Sequence, residues 1–263
     1  MSTLTSAVAD SATMTRRSLR HIVRYPSMTL ILVGMPVVFL LLFVYVFGGT
    51  LGAGLGDASG GRAEYVNYLA PGILLMTVAA AAQGTAISVA MDNTEGIVAR
   101  FKTMAISRAS VLTGHVIGSV VQTSVGVVIV IAVALLIGFR PNAGLVDWLG
   151  VIGILALFTL ALIWLSVALG LVSKSVETAS NLPMFLTLLP FLSSGFVPTD
   201  SMPAGMRWFA EYQPFTAVIE TLRSLLLGTP IGNHGITAVI WCVAIALGGY
   251  VWAKRLFNRD PSR

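Results

Sequence analysis

The sequence predicts an all-α polytopic membrane protein with six crossings, and three observations lead there. Hydrophobic residues make up 56% of the 263-residue chain and charged residues 10%, where a soluble domain carries about 25% charge. The mean hydropathy is +0.87. Six apolar stretches are each long enough to cross about 30 Å of hydrocarbon at about 1.5 Å per residue. The cations gather in alternate connecting segments, the pattern that sets orientation in a bilayer. A soluble enzyme, a secreted disulfide scaffold and a disordered chain are excluded. No single core of this length hides so much apolar surface, and the lone Cys242 has no partner for an intrachain disulfide.

Taken in order, residues 1–13 are polar or small and uncharged except for Asp10, and read as disordered. Residues 14–257 read as one transmembrane domain and 258–263 as a tail. The domain opens with an amphipathic helix. At about 100° per residue, Arg16, Arg17, Arg20 and Arg24 share one arc, with Leu19, Ile22 and Val23 opposite. Such a helix lies along an anionic lipid surface, either as a plain topology anchor or as an elbow that also touches a cytoplasmic partner. The spans follow at 28–48, 66–90, 113–138, 148–172, 179–197 and 234–253. With an even number of spans both termini share a side. That side carries 12 Lys and Arg against 4 on the other, which places both termini in the cytoplasm. The net charge of +5 is therefore a topology signal and not a nucleic-acid footprint.

The six spans contain no Asp, Glu, Lys or Arg. Proton- and sodium-coupled carriers need intramembrane carboxylates or paired charges, and channels need charged rings or carbonyl filters. No metalloprotease or serine-hydrolase motif is present, and Ser193–Gly195 reads as a loose helix end. The string Gly170–Ser175 has Ser173 where a phosphate loop needs glycine before its lysine. The chain carries no ATP site, so it is either passive or driven by another chain.

Two connecting segments are more than loops. Asp92–Ser107 reads as a cytoplasmic helix: Asp92 as N-cap with Glu95 completing a capping-box pair, and Arg100 and Lys102 toward the far end. Ile97, Phe101 and Met104 form an apolar stripe at helical spacing, suited to the lipid interface or to a groove on a partner. The external segment 198–232 is punctuated by Pro198, Pro203, Pro214 and Pro230. Ala204–Tyr212 and Phe215–Leu227 read as two short helices, the second too short to span and therefore re-entrant or interfacial. Glu220 and Arg223 sit three apart on one face of it. Gly48-x-x-x-Gly52 and Gly114-x-x-x-Gly118 are candidate packing notches.

In these two segments the sequence resembles type-2 ABC exporter permeases, most of all the daunorubicin/doxorubicin-resistance permease group. The run Asp92–Leu112, with Glu95, Gly96, Ile97, Arg100, Phe101, Met104, Ser107 and Arg108, is similar to that family's first cytoplasmic loop. Asn181–Pro183, Ser194–Pro198, Met202–Pro203, Gln213–Thr216 and Glu220–Arg223 resemble its external segment. The likeness runs from about Arg16 to Phe257. Ala105 stands where the family usually has proline, and His115 where an arginine is common. The resemblance implies one half of a transmembrane domain, paired with an identical or paralogous half, above two ATP-binding cassette subunits that hold ATP and Mg. Asp92–Ser107 would be the coupling helix, extending to Arg108, and Arg16–Arg24 the elbow. The second and fifth spans would line the path, and Pro198, Pro203, Pro214, Glu220 and Arg223 would belong to its external gate.

The expected function is therefore that of an ATP-driven exporter's permease subunit in the cell membrane. The chain is not itself an enzyme and holds no cofactor or metal. Charge-free walls suit an apolar or amphiphilic substrate such as a drug, lipid or secondary metabolite. The alternative is a membrane scaffold or sensor subunit that holds a cytoplasmic partner with the same striped helix. The orientation is directly testable. Cysteines introduced at Ser6 and Ser262 are expected to be shielded from impermeant thiol reagents in intact cells, and one at Ser59 to react. Labelling of both termini from outside would reverse the topology.

Overall fold

A computed structural model of the chain describes residue 16 and residues 26–53, 61–96, 108–173 and 175–257. Among these residues the structure is helix and turn, without strands. Helix α1 (Pro26–Leu42) passes through a π-helical turn (Phe43–Phe47) into α2 (Gly48–Ala53). Three long helices follow: α3 (Gly61–Thr94), α4 (Arg108–Leu136) and α5 (Leu145–Val172). Then come α6 (Val176–Asn181), α7 (Met184–Leu188), a 3₁₀ turn (Thr199–Ser201), α8 (Ala204–Tyr212), α9 (Pro214–Leu227) and α10 (His234–Phe257). Five helices of the described residues are long and apolar enough to cross a membrane: Leu32–Gly52, Gly61–Thr94, Leu112–Leu136, Leu145–Val172 and His234–Phe257.

These helices form two tiers. The most apolar windows of α3 and α5 are 72% and 61% buried, against 22% to 28% for the other three. Around that central pair, α1 with its π turn, α4 and α10 turn Val38, Val46, Val125, Val128, Ile240 and Leu247 outward. An apolar surface this continuous needs lipid as its solvent. α3 can be buried this deeply because small residues sit where neighbours approach it. A Cβ on Gly170 of α5 would sit 2.6 Å from the Ala86 carbonyl oxygen of α3, so only glycine admits that contact. Likewise a Cβ on Gly249 of α10 would lie 2.7 Å from the Leu165 amide of α5. The α5–α10 contact is the most extensive in the fold. The Trp164 and Tyr250 rings meet edge to face across it, at 5.0 Å. Of the glycine notches expected from sequence, Gly52 faces the Gly61 backbone and closes the α2–α3 turn. A Cβ on Gly48 of the same helix would press on the Arg62 side chain at 3.2 Å, so this notch is itself one of the close interhelical approaches, beside those at Gly170 and Gly249.

The expected fifth span, 179–197, is not one helix. Pro183 and Pro190 each lack the N–H that an α-helical ladder needs, and Ser193–Gly195 adds no helix-forming residue. The chain therefore forms α6, α7 and a series of turns through Phe196. This broken segment still runs alongside α3. The Gln83 side chain donates to the Ser180 carbonyl at 2.9 Å, and the Tyr65 hydroxyl donates to the Phe196 carbonyl at 3.3 Å. On its other side Phe39 and Phe43 of α1 and its π turn pack against Phe191 at 5.5 Å and Phe196 at 4.8 Å.

α9 lies against α5 in the opposite direction. Phe215, in its first turn, meets Phe158 near the middle of α5 edge to face at 5.0 Å. Leu226, in its last turn, accepts from the Asn142 amide just ahead of α5. Gly228 then caps α9 with φ of +71°, a conformation that costs any side-chain-bearing residue energy. The glycine contact between α5 and α10 gives a direct test of the packing. Gly249→Leu is expected to lose about 1–3 kcal/mol to overpacking and to lower the melting temperature in detergent. An unchanged melting curve would mean that α10 does not seat on α5 as described.

Candidate functional site

The densest group of buried polar side chains lies at the Tyr65 end of α3, where the broken segment and α9 converge on it. Arg223 is its centre. It is 9% exposed, and it comes from the inward face of α9. One guanidinium nitrogen donates to the Glu220 carboxylate at 2.5 Å, one turn back on the same helix. The other donates to the Ser194 carbonyl at 2.8 Å and the Tyr68 carbonyl at 3.1 Å. The guanidinium lies over the Tyr68 ring, 3.8 Å from its centroid, in cation–π contact. The Tyr68 hydroxyl closes the circuit by donating to the same Ser194 carbonyl at 2.8 Å.

Backbone geometry makes this possible. Gly72 of α3 and Gly195 touch main chain to main chain: a Cβ on Gly72 would lie 2.7 Å from the Gly195 carbonyl oxygen. Pro71 removes one N–H from the α3 ladder at this level. Gln213, which precedes α9, donates to the Leu192 carbonyl, and the Thr216 hydroxyl accepts from the Ser194 amide at 3.4 Å. Three buried polar atoms of the group, Arg223 Nε, Ser194 Oγ and Gln213 Oε1, have no hydrogen-bond partner among the described residues. Each such atom costs about 1–3 kcal/mol.

Sequence reasoning singled out the Glu220–Arg223 pair and its flanking prolines. Pro198 precedes the 3₁₀ turn, Pro203 is the N-cap of α8 and Pro214 the first residue of α9. It missed Tyr68, Gly72, Ser194 and Gln213 as partners, because their roles depend on main-chain carbonyls 100 or more residues away or on a break in a predicted span. The opposite face of α8 carries Trp208 and Tyr212 exposed, while Arg207 bridges Asp200 at 2.6 Å and Glu211 at 2.7 Å in the open.

At the other end of α3 the structure corrects one expectation. Asp92 does not begin a helix. The α3 ladder continues through Thr94, with the Glu95 amide bonded to the Met91 carbonyl, and Gly96 ends it with φ of +72°. Glycine at the stop outweighs the capping pattern, so Asp92 and Glu95 belong to a C-terminus. Asp92 meets His115 of α4 at 3.1 Å, with both side chains mostly buried. This pair joins the two helices at the base of the loop. Ile97, Arg100, Phe101, Met104 and Ser107 lie outside the described residues. Arg108 opens α4, Arg16 is helical and exposed, and Arg17, Arg20 and Arg24 lie outside.

The profile of the ABC-2 type transporter family matches residues 11–227. The chain belongs to this family. It is 29% identical over 244 residues to a daunorubicin resistance ABC transporter permease protein of Streptomyces coeruleorubidus, covering 92% of this chain and 81% of that protein. A probable doxorubicin resistance ABC transporter permease protein of Mycobacterium tuberculosis is 23% identical, over 66% of this chain and 64% of that one. Nodulation protein J of Rhizobium leguminosarum bv. viciae is 26% identical, over 78% of this chain and 79% of its own length. The chain is thus a multi-pass membrane permease subunit of an ABC exporter, as its sequence predicts.

Within this ABC-2 permease the two ion pairs on neighbouring helices differ in burial, and that difference is measurable. Glu220→Gln leaves Arg223 without its carboxylate in a nearly closed site. It is expected to cost about 1–3 kcal/mol, below the full figure for a buried pair because Glu220 keeps partial solvent access. Glu211→Gln, in the solvent-screened open pair with Arg207, is expected to cost less. Denaturation of both variants in detergent checks the order; equal losses would contradict the burial of Arg223.

Proposed function

We propose that this permease subunit exports an apolar or amphiphilic molecule, such as a drug, lipid or secondary metabolite, from the cytoplasm through the cell membrane. The observation that carries this reading is the likeness to a daunorubicin resistance permease over 92% of the chain. The charge-free interiors of the expected spans support the choice of cargo. The energy comes from separate ATP-binding cassette subunits, which hold the ATP and Mg. A second permease half, identical or paralogous, completes the path.

The cation bias of 12 against 4 supports placing both termini in the cytoplasm, and the six-crossing topology is supported by the route of the broken segment. It follows α3 from the level of Gln83 to that of Tyr65. That distance, with the adjoining turn at Val176, is about 30 Å at the helical rise and matches a hydrocarbon core. Residues 176–196 then form the fifth crossing as a discontinuous helix. A broken helix at membrane depth is tolerated where protein surrounds it. α8 and α9 form the external re-entrant hairpin, with Pro214 at its tip. The span of α9 along α5, from Phe158 back to Asn142, supports this placement. The external gate comprises Pro198, Pro203, Pro214, Glu220 and Arg223.

On the cytoplasmic side, the segment from Asp92 through Glu95, Gly96, Ile97, Arg100, Phe101 and Met104 to Ser107 and Arg108 docks on the ATP-binding subunit. The elbow arginines Arg16, Arg17, Arg20 and Arg24 lie at the lipid surface beside it. Movement of the ATPases reaches the bundle through this segment, whose base is tied by Asp92 and His115.

The test is coexpression with the ATP-binding subunit. Wild-type complex is expected to take up daunorubicin into inverted vesicles with ATP, and not with an imposed proton gradient alone. Phe101→Ala is expected to weaken recovery of the ATP-binding subunit by about thirtyfold in affinity, the worth of a buried aromatic anchor of about 2 kcal/mol. Equal recovery and equal uptake would place the energy-transmitting contact elsewhere.

A further inference from the structure

The external hairpin must separate from α3 and the broken segment when the path opens outward, and one side chain joins all three. Arg223 belongs to α9, bonds the Tyr68 carbonyl of α3 and bonds the Ser194 carbonyl of the broken segment. The other side-chain hydrogen bonds between these pieces each link only two of them: Tyr68 to Ser194, Tyr65 to Phe196, Thr216 to Ser194, and Gln213 to Leu189 and Leu192. Resting on the reading of α8 and α9 as the external closure, we infer that Arg223 is the positioning residue that holds this closure shut.

The chemistry suits a reversible tie. A guanidinium is planar and presents five donors in a fixed fork, so it can satisfy a carboxylate on one side and carbonyls on the other while its face rests on an aromatic ring. Glu220 travels with Arg223 on α9, three residues away. When α9 moves, the charge keeps its counter-ion and gives up only its contacts to neutral carbonyls and the Tyr68 ring. The ionic cost of opening is therefore small. The Gly72–Gly195 approach sets the register, since it brings the Ser194 carbonyl within reach of both Tyr68 and Arg223. Lysine keeps the positive charge, but its donors radiate from a single nitrogen and it has no planar face, so it does not reproduce the fork that places one nitrogen on Glu220 and another on the Tyr68 and Ser194 carbonyls with the face on the Tyr68 ring.

The experiment uses the full complex with its ATP-binding subunit in intact cells, in a Cys242→Ser background. Met76, one helical turn beyond Gly72 on α3 and 6% exposed, is replaced as Met76→Cys to report access from outside. The probe is a membrane-impermeant maleimide. With Arg223 present the thiol is expected to be shielded without added nucleotide. Arg223→Lys is expected to raise its labelling rate about tenfold, with recovery of the ATP-binding subunit and amount in the membrane unchanged. Tyr68→Phe, which removes one donor to Ser194 and leaves the ring, is expected to raise it by a smaller factor. This gives a graded readout if the arginine variant fails to reach the membrane. A shielded thiol that stays shielded in both Arg223→Lys and Tyr68→Phe would overturn the role of Arg223 alone. A thiol labelled rapidly with Arg223 present would overturn the external closure itself.

Discussion

Main-chain carbonyls buried away from water must find donors, and this requirement organises the molecule. Where α6 and α7 break the fifth long apolar stretch, the helical ladder no longer supplies those donors. Side chains from elsewhere supply them: Gln83 to Ser180, Gln213 to Leu192, Tyr68 and Arg223 to Ser194, and Tyr65 to Phe196. The donors come from α3, from α9 and from the residue that joins α8 to α9. The break thus binds together the central helix and the hairpin that follows. Without it the polar side chains along α3 would have no counterparts in an apolar bundle.

The division into a buried central pair and lipid-facing outer helices follows from where small residues fall. Gly170 and Gly249 let α5 meet α3 on one side and α10 on the other at backbone distance. Larger side chains at these positions would have left gaps that neither lipid nor water fills. The aromatic side chains perform the complementary task at the Tyr65 end. Phe39, Phe43, Phe191 and Phe196 fill the space between α1 and the broken segment, and the π turn at Phe43–Phe47 widens α1 where the rings are stacked. Packing and polar contacts therefore hold the segment from opposite sides.

Much of this was legible in the sequence. Apolar runs of sufficient length located all five membrane-length helices, because the hydrocarbon thickness sets a length that composition reveals. The external helices were legible from their prolines, and the Glu220–Arg223 pair from helical spacing. The broken fifth stretch was not, because hydropathy sums over residues and is blind to the missing N–H groups of Pro183 and Pro190. Asp92 was misread because a capping pattern is local, whereas the helix that reaches it begins at Gly61 and is stopped by Gly96. The partners of Arg223 were hidden for a different reason. Two of them are carbonyls, which every residue possesses and no residue type announces. His115 gave a faint signal, as the departure from a common arginine, and its meaning required the position of Asp92.

Anchoring through main-chain atoms has a consequence for how such a protein can diversify. The bonds that hold Ser180, Leu192 and Ser194 ask for a carbonyl at each of these positions and nothing of the side chain attached to it. Leu182, Met184, Phe185 and Leu188 accordingly face away from the bundle and are exposed. Substitution there can reshape a surface without loosening the scaffold beneath it, whereas Tyr68, Gly72 and Arg223 have no such freedom. A lineage built on this plan can vary its chemistry along one strip of sequence while the residues that hold the strip in place lie far off in the chain and remain under separate constraint.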